Sequence, residues 1–384
     1  MARDLSLLIP EMTLAVAVAL MLFAEMARLP RLALMLGLAG LAIATLATLP
    51  LLNADALVFG GTYRIDGLSG WAKLILLPGT AVTLLMARSE LAGKDREGSV
   101  YSLLCLVTLG ALMLAGGGDM MLLVLGVVLT GLGSFALVAF PRDDAATEAG
   151  MKYLVYGAVT GSVMIYGLSF WFGGVPFHFW APDAYDGAPI SVAAYLSVIT
   201  KVAAIFAFAQ VLRDLPVSTG WPLVIALISA ATMTYGYLAA LVQTNLVRLI
   251  AYSSIAQSGY FLLGIVALGR SSLTLPGIIV FAAAYLAMNL GAFAIIMIAG
   301  RTLDELRGFG RRRRLAGLAM VLFLLSLTGI PPLFGFVGKV YLFGAAIEAG
   351  FLWLAVIGIL NSVLALGVYL RIIVPMYGAS DGGG

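Results

Sequence analysis

The stretch LLSLTGIPPLFGFVGKVYLF (324–343) lies inside an apolar run over residues 315–347, which is too long for one straight crossing of a bilayer. A glycine and the pair Pro331–Pro332 interrupt this run. A proline removes a backbone hydrogen-bond donor, and at membrane depth such a break is stable only inside protein or beside a water-filled cavity. The stretch therefore predicts a membrane helix that is broken near Pro331, with Lys339 two turns beyond the break.

The composition of the 384-residue chain is that of a membrane protein. Hydrophobic residues make up 62% of it, charged residues 11%, and its mean hydropathy is +1.07, whereas a soluble domain carries about 25% charged residues. The pattern predicts a single all-α transmembrane domain over 1–384 whose helices occupy the apolar spans. These spans are 5–27, 32–52, 67–87, 99–116, 120–140, 150–178, 190–213, 221–243, 247–269, 273–300, 315–347 and 351–374.

The same composition disfavours several other classes of protein. The net charge is +3, without a basic domain that could hold nucleic acid, and the run of arginines over 311–314 is typical of a topology anchor that contacts anionic lipid. The single cysteine, Cys105, excludes a disulfide or a cysteine metal cluster. We expect no catalytic, cofactor-binding or metal site in this chain. The first 26 residues lack a cleavage site before Glu25, which predicts a retained first helix.

Lys201, in TKVAAIFAF (200–208), is the strongest candidate for a functional side chain. It is the only charged residue in the apolar span over 190–212, and a charge at the centre of a membrane helix costs at least ~2.5 kcal/mol. A lysine near a helix end can extend to the interface, but Lys201 lies eleven residues inside the span. We therefore interpret Lys201 and Lys339 as proton-carrying amines, because the acidic residues of 149–374 all fall near span ends or in loops.

Other polar side chains are weaker candidates. His178 is the only histidine and lies in a Pro/Gly-rich turn, where it either caps backbone groups or relays protons. Arg248 and Lys73 lie nearer the ends of predicted spans. A side chain that extends to the membrane interface explains such a charge at least as well as a functional role does. We retain His178 and Arg248 as candidate relays. Asp183 and Asp186 are predicted to cap a turn.

Three long motifs carry a resemblance to a known family. They are VPFHFWAPDAYDGAP (175–189), QTNLVRLIAYSSIAQSGYFLLGI (243–265) and LLSLTGIPPLFGFVGKVYLF (324–343). Together they resemble the antiporter-like membrane subunits of respiratory complex I, the NADH:quinone oxidoreductase, and the likeness extends from about Pro10 to Tyr377. Related subunits occur in Mrp-type cation/proton antiporters and membrane-bound hydrogenases, but the lysine in GIPPLFGFVGK favours the complex I branch.

The resemblance implies a helix bundle with broken helices and a proton path along a central row of charges. In the family this row consists of a glutamate in helix 5, lysines in helices 7 and 8, and a lysine or glutamate in helix 12. The helix 8 lysine corresponds to Lys201 and the helix 12 lysine to Lys339, and we expect the two to lie on one level of the bilayer. Val128 stands where the helix 5 glutamate would be, and Trp171 or a neighbour stands where the helix 7 lysine would be.

The resemblance also implies a proton-translocating subunit in a bacterial inner membrane, coupled to quinone reduction elsewhere in the complex. Quinone, FMN and iron–sulfur clusters are then expected in the complex but not in this chain. The expected partners are lipids and the other membrane-arm subunits, both antiporter-like and small helical ones. Two alternatives remain open. One is a Mrp-type antiporter subunit, which needs oxygen ligands for sodium, and the other is a scaffold subunit, because half of the charged row is missing.

The chain is shorter than the family between about Tyr166 and Val175, and it lacks the family's last helix after about Tyr377. Arg28 and the basic segment over 301–314 both mark the cytoplasmic side by the positive-inside rule. An even number of crossings must then separate them, but the predicted spans between them number nine. We therefore predict a re-entrant path, or residues absent from the sequence, near 166–175, and twelve or thirteen transmembrane helices in all.

Overall fold

The computed structural model describes residues 2–94, 96–161, 174–175 and 178–378. Within these residues, nine helices are long and apolar enough to cross a membrane, which confirms the predicted all-α membrane fold. The α-helices are α1 (Ala2–Leu7), α2 (Ile9–Met26), α3 (Pro30–Thr48), α4 (Gly67–Leu91), α5 (Glu97–Ala115), α6 (Met120–Val138), α7 (Asp144–Gly161), α8 (Trp180–Gly187), α9 (Ile190–Tyr195), α10 (Lys201–Arg213), α11 (Trp221–Leu241), α12 (Leu246–Ile265), α13 (Thr274–Ala299), α14 (Phe309–Arg312), α15 (Arg314–Thr328), α16 (Phe334–Glu348) and α17 (Leu352–Tyr377).

The predicted spans coincide with described helices, because apolar runs of this length can satisfy their backbone groups in lipid only as helices. The span predicted over 150–178 is described as helix as far as Gly161. The predicted re-entrant path or gap near 166–175 lies largely outside the described residues, and it stays a prediction.

The predicted break in the helix over 315–347 is confirmed. Residues 329–333 separate α15 from α16. Gly329 has φ +90°, a left-handed conformation that glycine adopts without steric cost and that commonly ends a helix. The Ser326 hydroxyl accepts the backbone N–H of Gly335 at 3.0 Å, so the second half of the helix begins in contact with the first half.

Replacing Gly335 with alanine is expected to destabilise the broken helix. A Cβ at this position would overlap the carbonyl oxygen of Ser326, and the two halves would have to separate. Overpacking of this kind costs about 1–3 kcal/mol, which a lower Tm of the purified protein would report. The matched control is Gly367→Ala in α17, where a Cβ would meet the Leu241 side chain at 3.9 Å. That variant should keep or raise the Tm, because alanine is the better helix former, and equal Tm values for the two variants would contradict the prediction.

The described residues divide into two compact units. Unit 1 comprises Met1–Phe172 and Gly187–Asp214, and unit 2 comprises Gly173–Asp186 and Leu215–Gly384, so far as those residues are described. Unit 1 contains α1 to α7, α9 and α10, and unit 2 contains most of α8 and all of α11 to α17. The prediction of a single transmembrane domain over 1–384 stays a prediction.

One end of unit 1 carries a β-hairpin. Strand β1 (Ala56–Val58) pairs antiparallel with β2 (Tyr63–Ile65). Side chains alternate along a strand, so Tyr63 and Ile65 are buried while Arg64 between them is less so. The buried hairpin residues pack against the partly buried side chains of Leu7, Leu8, Leu51, Ala54 and Leu122. The hairpin therefore forms a small apolar cluster with its neighbours at this end of the unit.

The opposite end of unit 1 is basic. Helices α2 and α3 pack as a hairpin, with Arg28 in the connection and Arg31 in the first turn of α3. These two side chains and Arg88, near the end of α4, line one cavity. By the positive-inside rule, this end of unit 1 is expected at the cytoplasmic face and the β-hairpin end at the opposite face, and this orientation stays a prediction.

Helices α9 and α10 form one long helix that runs antiparallel to α4. At the arginine-lined end, Glu90 of α4 accepts the backbone N–H of Ile190 at 2.7 Å. At the β-hairpin end, Arg213 donates to Asp66 at 2.5 Å. Between these contacts, Leu196–Thr200 form a π-helical turn, a local geometry that is frequent at functional sites.

Candidate functional site

Lys339 lies in α16 of unit 2 and is only 2% exposed. Its Nζ donates to the Thr328 carbonyl oxygen at 2.9 Å and to the Ser362 hydroxyl at 3.2 Å, and it lies 3.9 Å from the centre of the Tyr260 ring. The Thr328 carbonyl accepts no backbone hydrogen bond within α15, because the helix ends at this residue. The break thus supplies the oxygen that binds the lysine, so these two features of the motif act together.

A second carbonyl at the break is bound by a residue that the sequence analysis missed. Gln257 of α12 is fully buried and donates from Nε2 to the Leu327 carbonyl at 2.9 Å. The same nitrogen lies 3.4 Å from the Tyr369 hydroxyl, which is itself 2.6 Å from the Ser253 hydroxyl. The available signal was the row of serines and a glutamine in AYSSIAQSGY (251–260), at helical spacing inside an apolar span.

Lys201 is the first residue of α10 in unit 1 and is 1% exposed. It follows the π-helical turn directly, and the Thr200 hydroxyl donates to the Leu196 carbonyl within that turn at 2.6 Å. In the most apolar part of the helix over Ile190–Arg213, 94% of the residues are buried inside the protein. Lys201 therefore lies inside the protein, and its side chain does not extend to the membrane interface.

Three buried hydroxyls form a row that begins at Tyr195, six residues before Lys201. Tyr195 Oη is 2.6 Å from Thr108 Oγ1, which is 2.8 Å from Thr80 Oγ1. These groups come from three different helices, α9, α5 and α4. A hydroxyl can donate one hydrogen bond and accept others, so such a row can pass a proton from one group to the next.

Unit 1 also contains a buried ion pair that the sequence analysis did not predict. The Lys73 Nζ lies 2.6 Å from Glu11 Oε1, and the two side chains are 1% and 9% exposed. The Tyr63 hydroxyl donates to the same carboxylate oxygen at 2.5 Å, and Lys73 lies 5.3 Å from the centre of the Tyr63 ring. Lys73 does not extend to the interface, because its charge is balanced inside the protein.

Asp66 and Arg213 form a polar cluster at the β-hairpin end of unit 1. Gln210 donates to Asp66 at 3.3 Å and to the Ala115 carbonyl at 3.3 Å, and Arg213 donates to Asp66. Burial alone would raise the pKa of Asp66, but the backbone N–H of Ser69 and the Arg213 guanidinium lower it below its ordinary value. Asp66 is therefore an anion at neutral pH, at the edge of the membrane-spanning part of unit 1.

The two candidate relays lie in unit 2. Arg248 is paired with Asp183 at 2.8 Å and lies 3.9 Å from Asp186, so it joins the start of α12 to α8. His178 is buried, and its ring centre is 4.3 Å from that of Tyr235. Neither ring nitrogen of His178 has a hydrogen-bond partner among the residues that the structure describes. The relay roles of both residues stay predictions.

The other positions of the family's row of charges are only partly described by the structure. Val128 of α6 is 48% exposed and offers no ionisable group. Trp171 lies outside the described residues. Lys201 and Lys339 belong to different compact units, and their common level stays a prediction. In the described parts of the chain, no group of three or more His, Cys, Asp or Glu could hold a metal ion.

Comparison with known sequences gives the family that the three motifs resemble. The profile of the family described as NADH:quinone oxidoreductase/Mrp antiporter, TM, matches residues 117–174 and 164–365. NADH-quinone oxidoreductase subunit N of Rhodospirillum rubrum is 36% identical over 371 residues, with 84% of this chain and 76% of the relative covered. Its counterpart from Desulfovibrio desulfuricans is 34% identical over 442 residues, with 97% of this chain and 87% of the relative covered.

Comparison with solved structures agrees. A chain of respiratory complex I from Thermus thermophilus with bound aureothin superposes with a TM-score of 0.84 at 27% identity, over 97% of this chain and 91% of that chain. A chain of the Mrp complex from Dietzia sp. superposes with a TM-score of 0.87 at 21% identity, over 99% of this chain and 81% of that chain. The second likeness concerns the fold alone.

Proposed function

Because this chain belongs to the family of NADH:quinone oxidoreductase and Mrp antiporter membrane subunits, we propose that it is a proton-translocating, antiporter-like subunit of a respiratory NADH:quinone oxidoreductase. It would correspond to subunit N, which the lysine in the motif over 324–343 also favours. Quinone reduction takes place in other subunits, and this chain moves protons in response.

The observation that carries the proposal is the setting of Lys339 at the broken helix. As an ammonium, Lys339 donates to the Thr328 carbonyl and the Ser362 hydroxyl and faces the negative side of the Tyr260 ring. As a neutral amine, it can accept a hydrogen bond from the Ser362 hydroxyl, because a hydroxyl is both donor and acceptor. The site therefore suits both protonation states, as a proton carrier requires.

Lys201 provides the corresponding amine in unit 1. The hydroxyls of Tyr195, Thr108 and Thr80 supply a hydrogen-bonded row that begins six residues before it in the chain. Protons would reach Lys201 through this row. His178 and Arg248 are retained as relays in unit 2, where Arg248 would act through its ion pair with Asp183.

The proposal also covers cofactors, partners and location. FMN, iron–sulfur clusters and quinone would be bound by other subunits of the complex, and this chain would contribute no redox group. Its partners would be the neighbouring antiporter-like and small helical subunits of the membrane arm, together with lipids. The membrane would be the bacterial cytoplasmic membrane, with the arginine-lined end of unit 1 facing the cytoplasm.

A scaffold role is the second candidate, because Val128 replaces an ionisable residue of the family and is exposed. A Mrp-type antiporter subunit is the third, and it rests on the likeness of fold. The scaffold and the proton carrier differ only in whether protons pass, so measurement of pumping separates them. The antiporter differs in requiring sodium or another cation as the exchanged ion.

The test is to purify the tagged chain from its own membranes and to reconstitute the complex in vesicles. We expect NADH oxidation and quinone reduction to copurify with the chain, and proton uptake to proceed in sodium-free buffer. Copurification without NADH oxidation, combined with proton movement that depends on a sodium gradient, would replace this function with the antiporter. NADH oxidation with normal proton pumping in a Lys201→Met complex would replace it with the scaffold.

A further inference from the structure

The ion pair of Glu11 and Lys73 has features that a purely structural pair does not need. A buried pair of charges often stabilises a fold no better than apolar side chains of the same size. Glu11 is 7% exposed, and its Oε1 is bound by both Lys73 and Tyr63. Its Oε2 has no hydrogen-bond partner among the described residues. One oxygen of a buried carboxylate is thus open to a proton or a water molecule.

The pair also lies between Lys201 and one face of the membrane. Helix α4 packs against α10, and the two meet at one end where Arg213 donates to Asp66. From that end, Lys73 is seven residues along α4, and Lys201 is twelve residues along α10. At 1.5 Å per residue these are depths of roughly 10 Å and 18 Å. The ion pair is therefore nearer the β-hairpin end than Lys201 is.

The row of hydroxyls and the ion pair differ in chemistry. The hydroxyls of Tyr195, Thr108 and Thr80 can conduct a proton but do not hold one as a charge. On the β-hairpin side lies the carboxylate of Glu11, which can hold a proton. Of these two groups, only the Glu11 carboxylate can take up the proton of Lys201 and hold it.

We propose that Glu11, Lys73 and Tyr63 form a proton-accepting site on the β-hairpin side of Lys201. This inference rests on the proposed function. In the transfer, the Lys201 ammonium loses one proton and becomes an amine, and the Glu11 carboxylate gains that proton and becomes a carboxylic acid. Lys73 remains an ammonium and loses its ion pair until Glu11 releases the proton toward the β-hairpin face. One proton moves, and no electron is transferred.

Tyr63 connects this site to the β-hairpin. It belongs to strand β2, outside the membrane-spanning helices, and its hydroxyl donates to Glu11. Release of the proton from Glu11 restores the acceptor for this hydroxyl and the partner for Lys73. Asp66, an anion at the same end, attracts the released proton toward the membrane edge.

The test uses the variants Glu11→Gln, Lys73→Met and the double variant, each in the assembled complex. Either single variant leaves one buried charge unpaired, so the amount of assembled complex should fall. The double variant removes both charges and should restore assembly. A structural pair predicts that proton pumping is restored as well, whereas a proton-accepting site predicts that protons per electron pair stay as low as in Lys201→Met.

The matched control is the double variant Glu148→Gln with Lys152→Met, which makes the same changes in an exposed ion pair of unit 1. It should pump like the wild type. A second variant, Tyr63→Phe, keeps both charges and the ring over Lys73 but removes the hydrogen bond to Glu11. It should shift the pH profile of coupled NADH oxidation.

The outcomes separate this inference from the function on which it rests. Loss of pumping in Lys201→Met with normal pumping in the Glu11/Lys73 double variant overturns the inference alone. Should the double variant fail to assemble, an unchanged pH profile and normal pumping in Tyr63→Phe overturn it instead. Normal pumping in both Lys201→Met and the double variant overturns the proposed function.

Discussion

A complex that carries Lys201→Met is expected to oxidise NADH while moving fewer protons per electron pair. Methionine fills a similar volume but cannot take up a proton, so the step through unit 1 is lost. The fold should tolerate the change, because a charge at the centre of a membrane helix costs about 2.5–3.5 kcal/mol that the neutral side chain avoids. The measurement is the ratio of protons to electrons in sealed vesicles, with the amount of assembled complex determined in the same samples.

The matched control is Lys94→Met, the same substitution at an exposed position between α4 and α5. This variant should pump with the wild-type ratio. A wild-type ratio in both variants, with normal assembly, would show that proton pumping does not depend on Lys201. The scaffold function would then be preferred.

The second large effect is expected from Lys339→Glu, even though some relatives carry a glutamate at this position of the motif. The Lys339 amine donates to the Thr328 carbonyl and lies over the face of the Tyr260 ring. A carboxylate would place negative charge against a carbonyl oxygen and against the negative face of a ring. It would also leave the Thr328 carbonyl unpaired, and an unsatisfied buried group costs about 1–3 kcal/mol. We therefore expect poor assembly and loss of pumping.

The comparison variant is Lys339→Met, which removes the charge without adding the repulsion. It should assemble better than Lys339→Glu and still pump poorly. Assembly is measured by the yield of intact complex and by its Tm. If Lys339→Glu assembled and pumped like the wild type, the contacts with Thr328 and Tyr260 could not be what defines this site.

The broken helix could be predicted from sequence because its cause is local. Two prolines inside an overlong apolar run remove backbone donors at neighbouring positions, and the glycine before them favours a helix end. No distant residue is needed to explain the break at 329–333. The same holds for the burial of Lys201, since its position in the middle of its span follows from sequence spacing alone.

The partners of these side chains could not be predicted, because they come from distant parts of the chain. Glu11 and Lys73 are separated by more than sixty residues, and Lys73 by itself is indistinguishable from a lysine that extends to the interface. Gln257 binds a carbonyl 70 residues away. A carbonyl freed by a helix break has no sequence signature on the residue that binds it, so only the fold identifies Gln257 as part of the site.

The long helix that carries Lys201 is fastened to α4 at both ends, by Glu90 and by Asp66. Because both ends are bound to α4, this helix cannot slide along α4 as a rigid body. Any movement of the helix must be accommodated between its two ends. The π-helical turn over Leu196–Thr200 is wider than an α-helical turn. It can tighten while the contacts with Glu90 and Asp66 are kept. Because Lys201 directly follows this turn, a change in its winding rotates Lys201 about the helix axis while both ends stay bound to α4.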